Sequence, residues 1–504
     1  MNRKKTDNHR HKKNVTEAPI PGNSKIADSN PDAAHGKISS FLTVGNISTV
    51  AFVIFAYIML VVCNGYMLRW YEEMSLFESG KIFFSEFINY PGGLLRYVGA
   101  WLTQFMYYPA LGSTILIALW LLMAWMSCKA FHLSENAVPL SLIIPLAMLV
   151  SILQLDEAWL TLKTPGYIFS NTLGFLFAIA LIWLFKISEC RKALSLFFPA
   201  LITQTYFILG FYGLAAAMVC LIILLIRGVS DKDYKCFIAI AATIFLMLET
   251  PSLYFKYWHG NLVDNDYLLL KGLPELLFES FDIYLWIPFV VAANWLGVLG
   301  IIGSVKPDSE SRLTPWISVT LFVLALAWCV RADHKSSYLR ASVKMMGYVD
   351  RHDWRSVNGV MDNFDDQPNY TMLAINNLAN AEQGKPTVNL SRFTPRPADR
   401  RHDENFTMSV FIQVPVFYYI GKNSESYRMA MEHTIAYGKR VFFLKYMVKN
   451  ALVNGEVELA RRYNDILLGT MFHRRWAEEM KRFIDNPGLI DKNPEFNSVR
   501  TFLQ

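Results

Sequence analysis

Apolar residues in this chain are gathered into runs long enough to cross a membrane, separated by shorter polar segments. A helix needs about 17 to 25 mainly apolar residues to cross the hydrocarbon core. Seven runs reach that length, and they are 46–65, 110–129, 138–155, 166–186, 236–257, 284–304 and 314–331. This pattern predicts an all-α, polytopic membrane protein.

One further apolar stretch, 193–227, is too long for a single crossing. Lys192 and Arg227 flank it, and we expect both on the cytoplasmic side. The stretch must then cross twice, and Gly210 and Gly213 are the expected place of reversal. The prediction becomes about nine spans, with the amino terminus in the cytoplasm and the carboxyl terminus outside.

Charge divides the chain into three parts. Residues 1–45 begin with a dense group of basic side chains and predict a disordered cytoplasmic tail; because a span follows, nucleic-acid binding is not expected. Residues 46–331 predict the transmembrane domain, whose outer loops 66–109 and 250–283 are large. Lys and Arg are more frequent in the proposed cytoplasmic segments than in the outer ones, as the positive-inside rule requires.

Residues 332–504 show the periodicity of short amphipathic helices instead of spans. One helical hairpin is expected to follow a helix break at 351–353, to have its first helix stopped by Pro368 and to end at Gly384, and another to turn at Asn454 and Gly455. Such hairpins resemble tetratricopeptide repeats, which stack into concave binding surfaces. We therefore predict an extracytoplasmic, tetratricopeptide-like domain that binds a protein partner or an acceptor.

Composition supports a bilayer protein. Of 504 residues, 53% are apolar and only 18% charged, which is unlike a soluble multidomain protein. The six cysteines all precede residue 331, beside or within apolar runs, so neither a disulfide framework nor a cysteine metal cluster is implied.

Acidic residues gather on the predicted outer face, where an ionisable group at membrane depth is costly and persists when it has a task or a partner. The candidate catalytic residues follow the first and third spans: Glu72, Glu73, Asp156 and Glu157. The candidate substrate-binding residues are Arg69, Lys163, Glu249 and Lys256. Each carboxylate is equally explicable as a solvated or ion-paired residue at a helix end, and each cation as a snorkelling residue at the membrane interface.

This layout resembles the GT-C class of membrane glycosyltransferases, in which an acidic residue follows the first span and interfacial helices fill the first outer loop. The matching features are Glu72 and Glu73, the segment 76–108, Asp156 with Glu157, and the loop 250–283. The chain departs from the class in its Glu-Glu pair, where Asp or Asp-Glu is usual, and in lacking an arginine at "ALGSTIL".

The resemblance implies a polyprenyl-phosphate-linked sugar donor. Glu72 or Glu73 would then act as general base. Asp156 and Glu157 would hold a divalent cation or position the acceptor, and Arg69, Lys163 or Lys256 would neutralise the leaving phosphate.

Three function classes remain open from the sequence. The first is a transferase at the outer face of a bacterial cytoplasmic membrane. The second is a non-catalytic, membrane-anchored scaffold for cell-envelope assembly. Transport is the third, and it is disfavoured because the spans carry few central charges and show no inverted repeat.

Overall fold

The structure is a computed structural model that describes residues 43–155, 160, 165–188, 192–258, 283–304, 314–333, 337–388 and 406–501. Within these ranges the regular structure is entirely helical. Eight of the described helices are long and apolar enough to cross a membrane. The prediction of an all-α polytopic membrane protein is therefore confirmed.

The first part of the chain supplies the apolar bundle and the helices that connect it. In order, these helices are α1 (Val44–Cys63), α2 (Gly65–Glu73), α3 (Lys81–Ile88), α4 (Gly93–Thr103), α5 (Pro109–Phe131), α6 (Glu135–Leu153), α7 (Tyr167–Ser188), α8 (Lys192–Gln204), α9 (Phe211–Asp231), α10 (Tyr234–Trp258), α11 (Ile287–Ile302) and α12 (Thr314–Ala332).

Helix α6 is the most enclosed span of the bundle. In its most apolar stretch 89% of the residues are buried, compared with 22% for α10, and it packs against α11 and α12. An all-round apolar helix is expected at such a position, because neighbouring helices cover every face.

The long apolar stretch reverses at a glycine, as predicted. Helix α8 is followed by a single turn, Tyr206–Leu209, and α9 begins directly after Gly210. Gly210 has φ 57° and ψ −133°, a conformation that glycine adopts far more readily than other residues. Because α8 and α9 pack against each other, the stretch forms a helical hairpin.

Helix α4 lies within the first predicted outer loop and packs closely on α7. A Cβ atom added at Gly99 would lie 2.6 Å from the carbonyl oxygen of Gly166, so a side chain there would force the two segments apart. Leu95 on α4 is buried, whereas Trp101 remains partly exposed. This contact positions the 3-10 turn Gln104–Tyr107 that follows α4.

The later part of the chain consists of shorter helices. They are α13 (Ser337–Val349), α14 (Trp354–Asp362), α15 (Tyr370–Glu382), α16 (Phe406–Phe411), α17 (Gln413–Tyr419), α18 (Asn423–Tyr437), α19 (Val441–Val453), α20 (Val457–Leu468), α21 (Arg474–Asp485) and α22 (Pro494–Thr501). From α17 to α21 each helix packs on the next, an arrangement typical of helical-repeat proteins.

Both predicted helical hairpins are present. Helix α13 ends before the expected break at 351–353, and α14 begins after it. Gly455 adopts φ 79° between α19 and α20, and Ala460 and Leu467 on α20 are fully buried. Residues 44–504 form one compact unit, in which α13 packs against α2. The proposed domain boundary at residue 332 stays a prediction.

Candidate functional site

Glu72 and Glu73 lie at the carboxyl-terminal end of α2, directly after the first span. Both are buried, with 2% and 5% of their surface exposed. A carboxylate at this end of a helix meets the negative pole of the helix dipole, and burial also removes its hydration. Each of the two therefore needs cationic or hydrogen-bonding partners.

Those partners come from the helical region near the other end of the chain. The Nε2 atom of His473 lies 2.9 Å from one carboxylate oxygen of Glu72 and 3.1 Å from the other. Lys445 Nζ donates to both carboxylate oxygens of Glu73, at 2.9 and 3.0 Å. Arg69, one turn earlier on α2, adds a third contact to Glu73 at 3.2 Å.

The two glutamates differ in their electrostatics. Burial alone would raise the pKa of Glu73, but Lys445, His473 and Arg69 together lower it to about 2. Burial raises the pKa of Glu72, and His473 only partly opposes that effect. Glu73 is thus held ionised by its cations, which makes it a poor acceptor for a substrate proton.

Glu72, Glu73 and His473 also place three potential ligand atoms within 4.8 Å of one another. However, Lys445 already occupies both oxygens of Glu73, and a cation bound there would lie close to its ammonium group. The donor set therefore fits a buried joint between two parts of the fold better than a metal centre.

Aromatic and backbone contacts surround these ion pairs. The ring of Phe472 stacks on Tyr107 at a centroid distance of 5.3 Å, and Trp70 meets the edge of Phe442 at 5.0 Å. The Val441 amide donates to the carbonyl oxygen of Ser75 at 3.2 Å. We call this set of contacts, together with the Glu72 and Glu73 ion pairs, the helical joint; it connects α2, Ser75 and the turn Gln104–Tyr107 to the region from α19 to α21.

An open cavity of about 780 Å³ lies beside the helical joint. Its apolar wall includes residues from the end of α1 and the start of α5, and its polar wall comes from α2, the residues just before α5, α13 and the turn after α13. The polar and charged lining residues are Tyr66, Arg69, Glu73, Tyr107, Tyr108, Lys344, Tyr348, Asp350 and Arg351.

Basic side chains of this cavity differ in how firmly they are held. Arg69 is fixed, since it donates to the carbonyl oxygen of Tyr107 at 2.8 Å and lies 3.4 Å above the Tyr107 ring. Lys344 and Arg351 are exposed and form no ion pair with any residue in the described ranges, although Lys344 Nζ lies 5.0 Å from the centroid of the Tyr66 ring. These two cations are available to an anionic ligand.

Of the remaining predicted site residues, only Glu249 and Lys256 are described by the structure. Glu249 and Lys256 are on α10, which packs on α8 and α9, and neither is among the described residues that line the cavity. Asp156, Glu157 and Lys163 lie outside the described residues. Of the predicted set, the structure thus brings together Arg69, Glu72 and Glu73.

The sequence did not predict the partners of Glu72 and Glu73, nor the charged residues that α13 and the following turn contribute to the cavity. Lys445 and Lys449 stand one helical turn apart in the otherwise apolar segment "VFFLKYMVKNALV", a pattern that indicates buried lysines with acidic partners. Lys449 indeed lies 2.7 Å from Glu495. For His473 no comparable signal exists in the sequence.

Residues 40–504 match the family of unknown function DUF6057. Since the match spans most of the chain, the protein belongs to that family. No curated protein and no solved structure gives a match to the chain.

Proposed function

We propose that this protein is an integral membrane transferase that moves a sugar, or a related group, from a polyprenyl-phosphate carrier to an acceptor. The reaction would take place at the outer face of a bacterial cytoplasmic membrane. The cavity between α1, α2, α5 and α13 is the proposed substrate site.

The amphipathic character of this cavity is the observation that carries the proposal. Val61, Pro109 and Ala110 line it from the ends of two spanning helices, where a lipid chain can approach through the bilayer. Lys344 and Arg351 line it from the polar side. A ligand that is apolar at one end and anionic at the other matches both walls.

Charge favours a phosphate at the polar end. Three basic side chains and two carboxylates line the cavity. One of those carboxylates, Glu73, is already neutralised by Lys445, which is not among the lining residues. The excess is therefore positive. Arginine and lysine are suited to phosphate because charge-assisted hydrogen bonds to its oxygens are strong.

A binding experiment tests the proposed site. Full-length protein would be purified with its lipids from a strain whose own copy is deleted, and co-purified polyprenyl phosphate would be measured by mass spectrometry. We expect the double variant Lys344→Ala/Arg351→Ala to retain at least about 100-fold less than wild type, since each of the two lost charge-assisted contacts costs about 1.5–3 kcal/mol. Cell-surface glycans of the same strains would be profiled in parallel.

A matched control is available on the same helical region. Arg355 and Lys481 are exposed and do not line the cavity among the described residues, so Arg355→Ala/Lys481→Ala removes the same charge elsewhere. Equal lipid retention in both double variants, together with unchanged surface glycans in the deletion strain, would contradict the proposal.

A non-catalytic scaffold is the second candidate, and the helical joint favours it. The joint seats α19 and α21 on α2 through buried ion pairs, as an anchor for a binding domain would require. In that case, variants of the joint would abolish function in cells, whereas variants of the cavity would leave it intact.

A further inference from the structure

Two carboxylates line the cavity among the described residues, Glu73 and Asp350. They differ in what surrounds them. Lys445 contacts both oxygens of Glu73 and Arg69 contacts one of them. Asp350 is exposed, and none of the cations that the structure describes lies within ion-pairing distance of its carboxylate. Its oxygens are therefore free to accept a proton or a hydrogen bond from a ligand.

We propose that Asp350 is the catalytic carboxylate of the cavity, and that Glu72 and Glu73 hold the helical joint. This inference rests on the proposed transfer reaction. It adds a catalytic residue from the turn after α13, a segment on which none of the predicted site residues falls.

The backbone fixes the turn that carries Asp350. His352 adopts φ 56°, a left-handed conformation that is unfavourable for a non-glycine residue. Backbone N–H groups of Asp350 and Asp353 bond to the carbonyls of Met346 and Tyr348, both at 3.0 Å. Local backbone hydrogen bonds therefore define the conformation of the turn.

Side chains around the turn hold it in place. Tyr419 Oη lies 3.2 Å from Nε2 of His352, and Glu495 lies 3.7 Å from the same nitrogen. Asp353 accepts from the Ser356 backbone N–H at 3.2 Å and so caps α14. Asp350 and Arg351 are thus presented side by side to the cavity by a turn anchored on both flanks.

This arrangement supplies the two kinds of group that a transfer step needs, a carboxylate that accepts a proton and cations that neutralise the leaving phosphate. The hydroxyl oxygen of the acceptor attacks the anomeric carbon of the sugar, and its proton passes to the Asp350 carboxylate. The bond between the anomeric carbon and the phosphate oxygen breaks, and its electron pair stays on the phosphate. The added negative charge then faces Arg351, Lys344 and Arg69.

A donor-consumption assay tests the role of Asp350. The probe is the radiolabelled polyprenyl-phosphate-sugar fraction extracted from the deletion strain, incubated with full-length purified protein and membranes of that strain as acceptor. We expect Asp350→Asn to slow the release of label from the lipid phase by about 100-fold or more, because general-base catalysis contributes about 10²–10⁴-fold. Retention of polyprenyl phosphate should stay within about twofold of wild type, since the cations are untouched.

Two further variants make the result specific. Asp362→Asn changes an exposed aspartate at the end of α14 and should consume donor at the wild-type rate. Asp350→Glu keeps a carboxylate and should recover part of the activity lost in Asp350→Asn. The melting temperature of every variant would be measured in the same detergent.

The outcomes separate this inference from the proposed function. If wild-type protein consumes the donor and Asp350→Asn does so at a similar rate, Asp350 is not catalytic but the transferase stands. A variant that loses lipid retention and melting temperature together with activity would show a structural role and would also overturn the inference. If wild-type protein releases no label and the deletion leaves surface glycans unchanged, the transferase itself is wrong.

Discussion

Two groups of charged side chains lie next to each other at the end of α2, and they differ in exposure. Glu72, Glu73, Lys445 and His473 are almost wholly buried, and each acid has a partner within 3 Å. On the other side, Lys344, Asp350 and Arg351 are exposed to an open cavity. Buried charges that are already paired hold structure together, whereas exposed charges in a cavity have capacity left for a ligand.

Arg69 belongs to both groups. It contacts Glu73 in the helical joint and lines the cavity, while its guanidinium lies over the ring of Tyr107. A change in the joint can therefore alter the cavity through this side chain. For that reason, variants of Glu73 or Arg69 cannot separate a structural role from a catalytic one, and the comparison has to be tested from Lys445.

The largest effect is expected from Lys445→Met. It removes the closest cation from Glu73 and leaves a buried carboxylate with Arg69 as its main partner. Breaking a buried ion pair from one side typically costs about 3–5 kcal/mol. We expect a loss of that size in unfolding measurements on purified protein in detergent, with earlier proteolytic cleavage of the region after residue 336.

A compensating variant serves as the control for this prediction. Lys445→Met combined with Glu73→Gln removes both charges, and we expect it to recover a clear part of the lost stability, since no buried charge is left without a partner. If Lys445→Met were as stable as wild type, the ion pair would not contribute to the joint.

Acid should weaken the joint as well. The pKa of Glu73 is lowered from 4.5 to about 2, mainly by Lys445 against the effect of burial, and the pKa of Glu495 is lowered in the same direction by Lys449. As the pH falls, these carboxylates therefore become protonated in the unfolded chain before they do so in the folded protein. The stability that they contribute is present above about pH 4.5 and declines below it, and the contribution of Glu73 is lost as the pH falls toward 2. For Glu73 this amounts to about 3 kcal/mol.

Glu72 has the opposite effect on the pH dependence of stability. Because burial raises its pKa, the stability linked to its protonation is present below 4.5 and is lost as the pH rises through its folded-state value. Unfolding free energies measured from pH 7 to pH 3 should still fall overall, and the decline should be shallower in Glu73→Gln. An equal decline in that variant would show that other carboxylates dominate.

The architecture could be predicted because its signals are local. The lengths of the apolar runs identified the spans, charge at both ends of one long stretch required a reversal, and the glycines Gly210 and Gly213 indicated its place. In the later region, glycine at Gly455 marked a turn that the structure confirms. Span length and turn chemistry act within about twenty residues, so a single sequence records them.

The partners within the site could not be predicted in the same way. Lys445 is 372 residues from Glu73, and His473 is 401 residues from Glu72. Only the folded chain brings them together, and sequence periodicity carries no information about such pairs. The sequence named Glu72 and Glu73 as candidate residues after the first span, and their catalytic role stays a prediction.

The smallest effect on stability is expected when the substituted lysine belongs to an exposed ion pair instead of a buried one. Lys439, two residues before α19, lies 3.2 Å from Glu78, but its side chain is 53% exposed. Exposed pairs contribute about 0–1 kcal/mol, because water already solvates both charges. Lys439→Met should therefore change the unfolding free energy by less than about 1 kcal/mol under the conditions used for Lys445→Met. If the two substitutions cost the same, burial would not explain the strength of the joint, and the distinction between its paired charges and the open cavity would fail.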